Sequence, residues 1–226
     1  MKALYIFLIL LLSLLNASSL AQDGVTIKIK DKNGKTEEVD VYREISDDCK
    51  YDFKFTPQNL WGEKFASKKV PEDCKVTIVS AIGKISPIKI AKGVETYGEL
   101  EVLAFLKKMQ KDKNLLFIDS RTPNWYKFQT IPGAINIPYT YFLKPNSYQD
   151  EYNGSLKILG VRKSGDKLDF SNVKEILLFC NGPWCGQSPI MIKKLLDIGY
   201  PANKIKWYRG GMHSWNSLNM TTTKDN

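Results

Sequence analysis

The stretch LLFCNGPWCGQSP, Leu177–Pro189, decides how this chain is read. An apolar run from Ile176 to Phe179 stops at Cys180, turns through Gly182 and Pro183, meets a second cysteine at Cys185, and ends on Ser188-Pro189. A short apolar run bounded by turn residues reads as a buried strand. Ser188 then suits an N-cap and Pro189 a first helical residue, with Met191, Ile192, Leu195, Leu196 and Ile198 forming an inward helix face that Gly199 ends. Strand, loop and helix in this order place Cys180 at the carboxyl end of a strand, where open α/β sheets bind ligands. Gly182 and Gly186 are expected to supply the positive φ angles of the loop. Its N–H groups and the positive end of the helix should converge on Cys180 Sγ and lower the thiol pKa. The chemistry favoured is that of a thiolate, or of a persulfide made from it.

Working outward, LLFI (115–118) is a second short apolar run, ending in Asp119-Ser120-Arg121. AINIP (134–138) follows the turn Ile131-Pro132-Gly133, and IKWY (205–208) runs into Arg209-Gly210-Gly211. Runs this apolar, separated by helical segments, imply a parallel sheet covered on both faces. Thr96 and Glu99 fit a capping box, after which Leu100, Leu103, Leu106 and Met109 recur at helical spacing. Between Tyr139 and Glu175 only a helix around Gln149 to Leu159 is readable. The fold class expected is α/β over residues 93–220, preceded at 22–92 by a small, mainly β domain and followed at 221–226 by a disordered tail. VTIKIK, the Asn-Gly turn in DKNGK and TEEVDVY read as a hairpin, and CKVTIVSAIGKISPIKI (74–90) as further strand.

Lys2, the apolar run Leu4 to Leu15 and Ser19-Leu20-Ala21 have the layout of a secretory signal, so residues 1–21 are expected to be removed by a cut after Ala21. An uncleaved N-terminal anchor is the competing reading. The mature chain is then expected in the periplasm or secreted, with no membrane segment. The net charge of +9 is spread along the sequence, and neither a basic stripe with stacking aromatics nor a nucleic-acid module is present, so no nucleic-acid partner is expected. The 4 cysteines fall into two pairs, Cys49 with Cys74 and Cys180 with Cys185. In an oxidising compartment a Cys49–Cys74 disulfide would close a loop worth about 3.5 kcal/mol in the chain-entropy model. With 1 histidine, His213, and neither a C-x-x-C nor a haem-attachment spacing, no metal and no cofactor are expected.

LLFIDSR, IPGAINIP, LLFC with its loop and helix, and IGYPANKIKWYRGGMHSW, in this order, resemble a single rhodanese domain. The resemblance implies a sulfurtransferase or sulfane-sulfur carrier in which Cys180 takes sulfur from a small sulfur-containing anion, holds it as a persulfide and passes it to a thiol acceptor. It makes Asn181, Gly182, Trp184, Gly186, Gln187 and Ser188 part of the anion-binding loop, with Cys185 in support. Asp119 and Arg121 match the family's early Asp-x-Arg, read as a supporting ion pair, and Gly210, Gly211 and Trp215 its late signature. Three departures stand out. The loop is two residues longer than the common one, and Cys185 occupies the fifth position after Cys180, where the family has arginine. Gln187 stands before the serine in place of an arginine, which implies weak thiosulfate binding and argues against cysteine phosphatases. Thr130 replaces a histidine before Ile-Pro-Gly-Ala, read as a packing difference. Two alternatives remain open on the residues: a thiol-disulfide protein using Cys180 and Cys185, and a non-catalytic module holding an anion or partner. A protein partner would be met through the β domain.

Overall fold

The computed structural model describes residues 24–31, 33–42, 68, 72, 84–165 and 167–223. Cys49, Cys74 and residues 1–21 lie outside them, and so do the disulfide and signal expectations. In chain order the elements are β1 (Val25–Lys30), β2 (Thr36–Val41), β3 (Glu95–Tyr97), α1 (Glu99–Met109), β4 (Leu115–Asp119), α2 (Pro123–Phe128), β5 (Ile135–Asn136) and α3 (Tyr139–Leu143). There follow α4 (Gln149–Ile158), β6 (Arg162–Ser164), β7 (Lys167–Asp169), β8 (Glu175–Phe179), α5 (Gln187–Asp197), β9 (Ile205–Tyr208) and α6 (Gly211–Ser217).

Five strands form one parallel sheet in the order β3-β9-β8-β4-β5, which makes β8 the central strand. Its side chains alternate between two cores. Leu177 and Phe179 pack with Phe117, with Val102, Leu103, Phe105 and Leu106 of α1, and with Trp215 of α6. Ile176 and Leu178 pack with Met191, Ile192 and Leu195 of α5 on the other face. Because both faces are covered, four successive apolar residues are all buried, each worth roughly 1.5–3 kcal/mol. The expected α/β sheet with helices on both faces is what forms.

Several local expectations shift. Thr96 is strand, not cap: α1 starts at Glu99 behind the N-cap Gly98, whose N–H donates to Glu101 Oε2 at 2.9 Å. The capping carboxylate is therefore two residues later than expected, and Leu100 is left exposed. Likewise α5 begins at Gln187 with Gly186 as N-cap, so Ser188 and Pro189 lie inside its first turn. Gly199 does follow that helix in the left-handed region, at φ +98°. Residues 84–90, read as strand, carry no regular structure, whereas the β6–β7 hairpin went unread.

The N-terminal hairpin pairs β1 with β2 antiparallel about Asp31, whose Oδ1 accepts the N–H groups of Asn33 and Lys35, at 2.9 and 2.7 Å. Gly34 takes the turn's positive φ of +78°. Val25, Ile27 and Val41 join the same core as α1, so this hairpin is laid on the sheet domain through a shared apolar face. Thr221 and Thr223, expected in a frayed tail, are pinned instead. The Thr221 N–H donates to Tyr42 O at 3.0 Å, its carbonyl accepts Trp215 Nε1–H at 2.7 Å, and Thr223 pairs with Thr130.

Candidate active site

Cys180 leaves the central strand and is 2% exposed. Its carbonyl accepts the Met212 N–H at 3.0 Å, and the Asn181 carbonyl accepts the His213 N–H at 2.9 Å, so the entry to α6 clamps the first two residues of the loop. Gly211 makes this approach feasible: its φ is +56°, and a Cβ there would lie 2.2 Å from Cys180 O. The loop then turns, with Cys185 N–H donating to Gly182 O at 2.9 Å, and returns Cys185 beside Cys180. Cys180 Sγ lies 3.4 Å from Cys185 O, and the two thiols are close enough to shift each other's ionisation.

The N–H groups of the loop do not all converge on Cys180, as expected, but divide between the two sulfurs. Ser188 offers its hydroxyl and its N–H to Cys180, whereas the N–H groups of Gln187 and Asn181 point to Cys185. Burial, reinforced by the hydrogen bond and negative charge of Cys185, pushes the Cys180 thiol up well above its ordinary range despite the Ser188 contacts. The hydrogen bond from Cys180 pulls Cys185 down to about 6, against the opposing effect of burial; the two backbone N–H groups and the Arg121 charge add to it. The expectation of a depressed pKa at Cys180 is thus corrected. The two thiols are linked, the more deeply buried Cys180 being the harder to ionise and Cys185 the easier.

Asp119 and Arg121 form a buried ion pair, with Nη2 to Oδ2 at 2.6 Å and Nε to Oδ1 at 2.9 Å. Arg121 Nη2 also donates to Gln129 O, and Nη1 to Asn181 Oδ1 at 3.0 Å. The arginine therefore holds the side chain of the residue next to Cys180. Thr130 does more than pack: its hydroxyl donates to Asp119 Oδ2 at 2.8 Å. Ser120 was missed as a site residue. Its Oγ lies 2.7 Å from Ser188 Oγ and 2.8 Å from Phe179 O, making a buried hydroxyl pair beneath the cysteine. Its place directly after the strand-end Asp119 was the one signal available.

Gly182 and Gly186 serve differently from expectation, since neither has a positive φ. A Cβ on Gly182 would lie 2.6 Å from the Trp184 ring, so Gly182 admits the wall that Trp184 forms against His213, edge to face at 4.6 Å between centroids. Gly186 meets nothing closer than 3.8 Å. Gln187 Oε1 is buried without a hydrogen-bond partner. Trp215 is fully buried, as expected of core. Among the described residues no group of His, Cys, Asp and Glu could hold a metal ion, and no helix is long and apolar enough to cross a membrane.

A cysteine delivered by the central strand of a covered parallel sheet into a loop closed by the next helix defines a thiol-bearing α/β domain of the rhodanese fold. Residues 103–218 match the family model described as Rhodanese-like domain, and the chain belongs to that family. Solved structures similar to it include a protein from Bacillus halodurans, 22% identical, covering 58% of this chain and 77% of that one, with a TM-score of 0.42. A protein from Saccharomyces cerevisiae is 26% identical, with 55% and 92% covered and a TM-score of 0.38. A thiosulfate sulfurtransferase from Pseudomonas aeruginosa is 18% identical, with 59% and 21% covered and a TM-score of 0.37. The comparison with curated proteins gave no match.

Proposed function

We propose that this chain is a sulfurtransferase or sulfane-sulfur carrier that holds sulfur as a persulfide on Cys180, working outside the cytoplasm once residues 1–21 are removed. The observation that supports it best is the cysteine pair at the end of β8, Cys180 Sγ 3.4 Å from Cys185 O, with Cys185 the more readily ionised of the two thiols. With thiosulfate as donor, Cys180 Sγ attacks the outer sulfur while its proton passes to the Cys185 thiolate. The Sγ–S bond forms, the S–S bond of the donor breaks, and sulfite leaves with the electron pair. Cys185 is then a neutral thiol beside a persulfide anion, which Ser188 stabilises from its N–H and hydroxyl. An external thiolate takes the outer sulfur, and Cys180 recovers its proton from Cys185. Asp119 and Arg121 act as a positioning pair through Asn181, since sulfur transfer between these thiols needs no further acid or base.

The test is sulfite release from thiosulfate in a single turnover, followed against pH. Cys185 must be a thiolate to accept the proton, so the rate should rise through about pH 6 and level above it. Cys180→Ser should release none. A non-catalytic anion-binding module predicts no sulfite at any pH, and a rate climbing without a plateau toward pH 9 would remove Cys185 as the base.

A further inference from the structure

The same loop offers the loaded sulfur a second exit. Cys180 is 2% and Cys185 8% exposed, so an external acceptor meets a sulfur beneath the loop. Access is narrowed further on the Pro183 side, where Ser86 N–H donates to Pro183 O at 2.7 Å. Arg209 ties that segment down, donating to Ser86 O through Nε at 3.0 Å and Nη2 at 2.8 Å. Cys185 needs no access, because the loop already returns it beside Cys180, whose Sγ lies 3.4 Å from the Cys185 carbonyl oxygen. The Cys180–Asn181 end of the loop is clamped by Met212, His213 and Arg121, and the Cys185 N–H bond to Gly182 O turns the other side back, so the pair is held together rather than brought together. A nucleophile held beside its target has an effective concentration far above that of any dissolved thiol.

Resting on the persulfide reading, we propose that Cys185 is a resolving thiol that releases the sulfur as hydrosulfide. Its sulfur attacks Cys180 Sγ, forming a Cys180–Cys185 disulfide and breaking the bond between Sγ and the outer sulfur. The electron pair leaves with the outer sulfur, which takes the proton that Cys185 carried. The two cysteines are together oxidised by two electrons and the sulfane sulfur is reduced. Hydrosulfide is a better leaving group than an alkyl thiolate, which favours attack at the inner sulfur. The two sulfurs must close to a bond of about 2.05 Å, a movement asked of the segment between the clamped Asn181 and the start of α5. Renewed loading then requires an external dithiol to reduce the disulfide, so the chain alternates between sulfur donors and dithiol reductants.

The experiment uses the full chain, reduced, desalted and given one equivalent of thiosulfate, with sulfite and sulfide measured and the tryptic peptide 175–193, which carries both cysteines, weighed without reductant. The wild type should release sulfite and then an equal amount of sulfide, leaving the peptide two hydrogens lighter. Cys185→Ser should load more slowly to the same end point, keep the mass of one sulfur, and release no sulfide. Sulfite without sulfide from the wild type, with the sulfur retained on its peptide, would overturn the resolving step and leave the persulfide reading standing. Inorganic polysulfide followed by desalting serves as a second donor; if neither donor puts sulfur on either protein, both readings fall.

Discussion

Replacing Arg121 by methionine should be among the costliest single changes in this domain. The guanidinium is 2% exposed and Asp119 fully buried, and the substitution keeps most of the side-chain volume while removing the charge. Asp119 would retain only the Thr130 hydroxyl and the backbone N–H of residue 121, at 2.8 and 3.0 Å. Removing one partner of a buried pair costs about 3–5 kcal/mol, chiefly because the remaining charge is left uncompensated. With a urea dependence of about 2 kcal/mol per molar, the unfolding midpoint should fall by roughly 2 M. Tryptophan fluorescence can follow the transition, since Trp207 and Trp215 are buried in opposite cores. Asp119→Asn combined with Arg121→Met should recover part of the loss, because a neutral amide leaves no stranded charge. A single-variant loss below about 1 kcal/mol, or no recovery in the double variant, would refute the assignment of this pair as the internal brace of the loop.

Three further outcomes are expected. Thr130→Val removes a buried donor from Asp119 at nearly constant volume and should cost about 1–3 kcal/mol in urea unfolding; a neutral effect would return Thr130 to mere packing. Ile27→Ala should destabilise the whole domain by about 2–5 kcal/mol in one cooperative transition, because Ile27 shares the α1 core; a separate early transition would mean that the hairpin stands apart. Gln187→Arg should lower the apparent KM for thiosulfate by placing a cation beside the loop, whereas an unchanged KM would mean that the side chain at position 187 does not reach the anion.

Most of the sheet was legible because its strands are buried on both faces, which writes them as unbroken apolar runs. β3 was not, since Glu95-Thr96-Tyr97 is polar and half exposed at the sheet edge, and its threonine mimicked a helix cap. The β6–β7 hairpin is short and charged, with no apolar alternation to mark it. Cys180 and its helix could be placed from the strand–loop–helix order, but the division of N–H groups between two sulfurs could not. That division depends on the turn closed by the Cys185 N–H bond to Gly182 O. The same is true of Ser120, Asn181 and Thr130. Their hydrogen bonds join β4, the cysteine loop and the segment before β5, which are distant in sequence and adjacent only in the folded sheet.

The most direct test is to load the reduced chain with a sulfane-sulfur donor at a loading time too short for release, alkylate, and fragment the peptide 175–193 to find which cysteine carries the added sulfur. If Cys180 is the persulfide-bearing residue and Cys185 its base, the extra sulfur lies on Cys180 and Cys185 is alkylated at its own thiol. Sulfur found on Cys185 alone, with Cys180 unmodified, would contradict the assignment and make Cys185 the nucleophile.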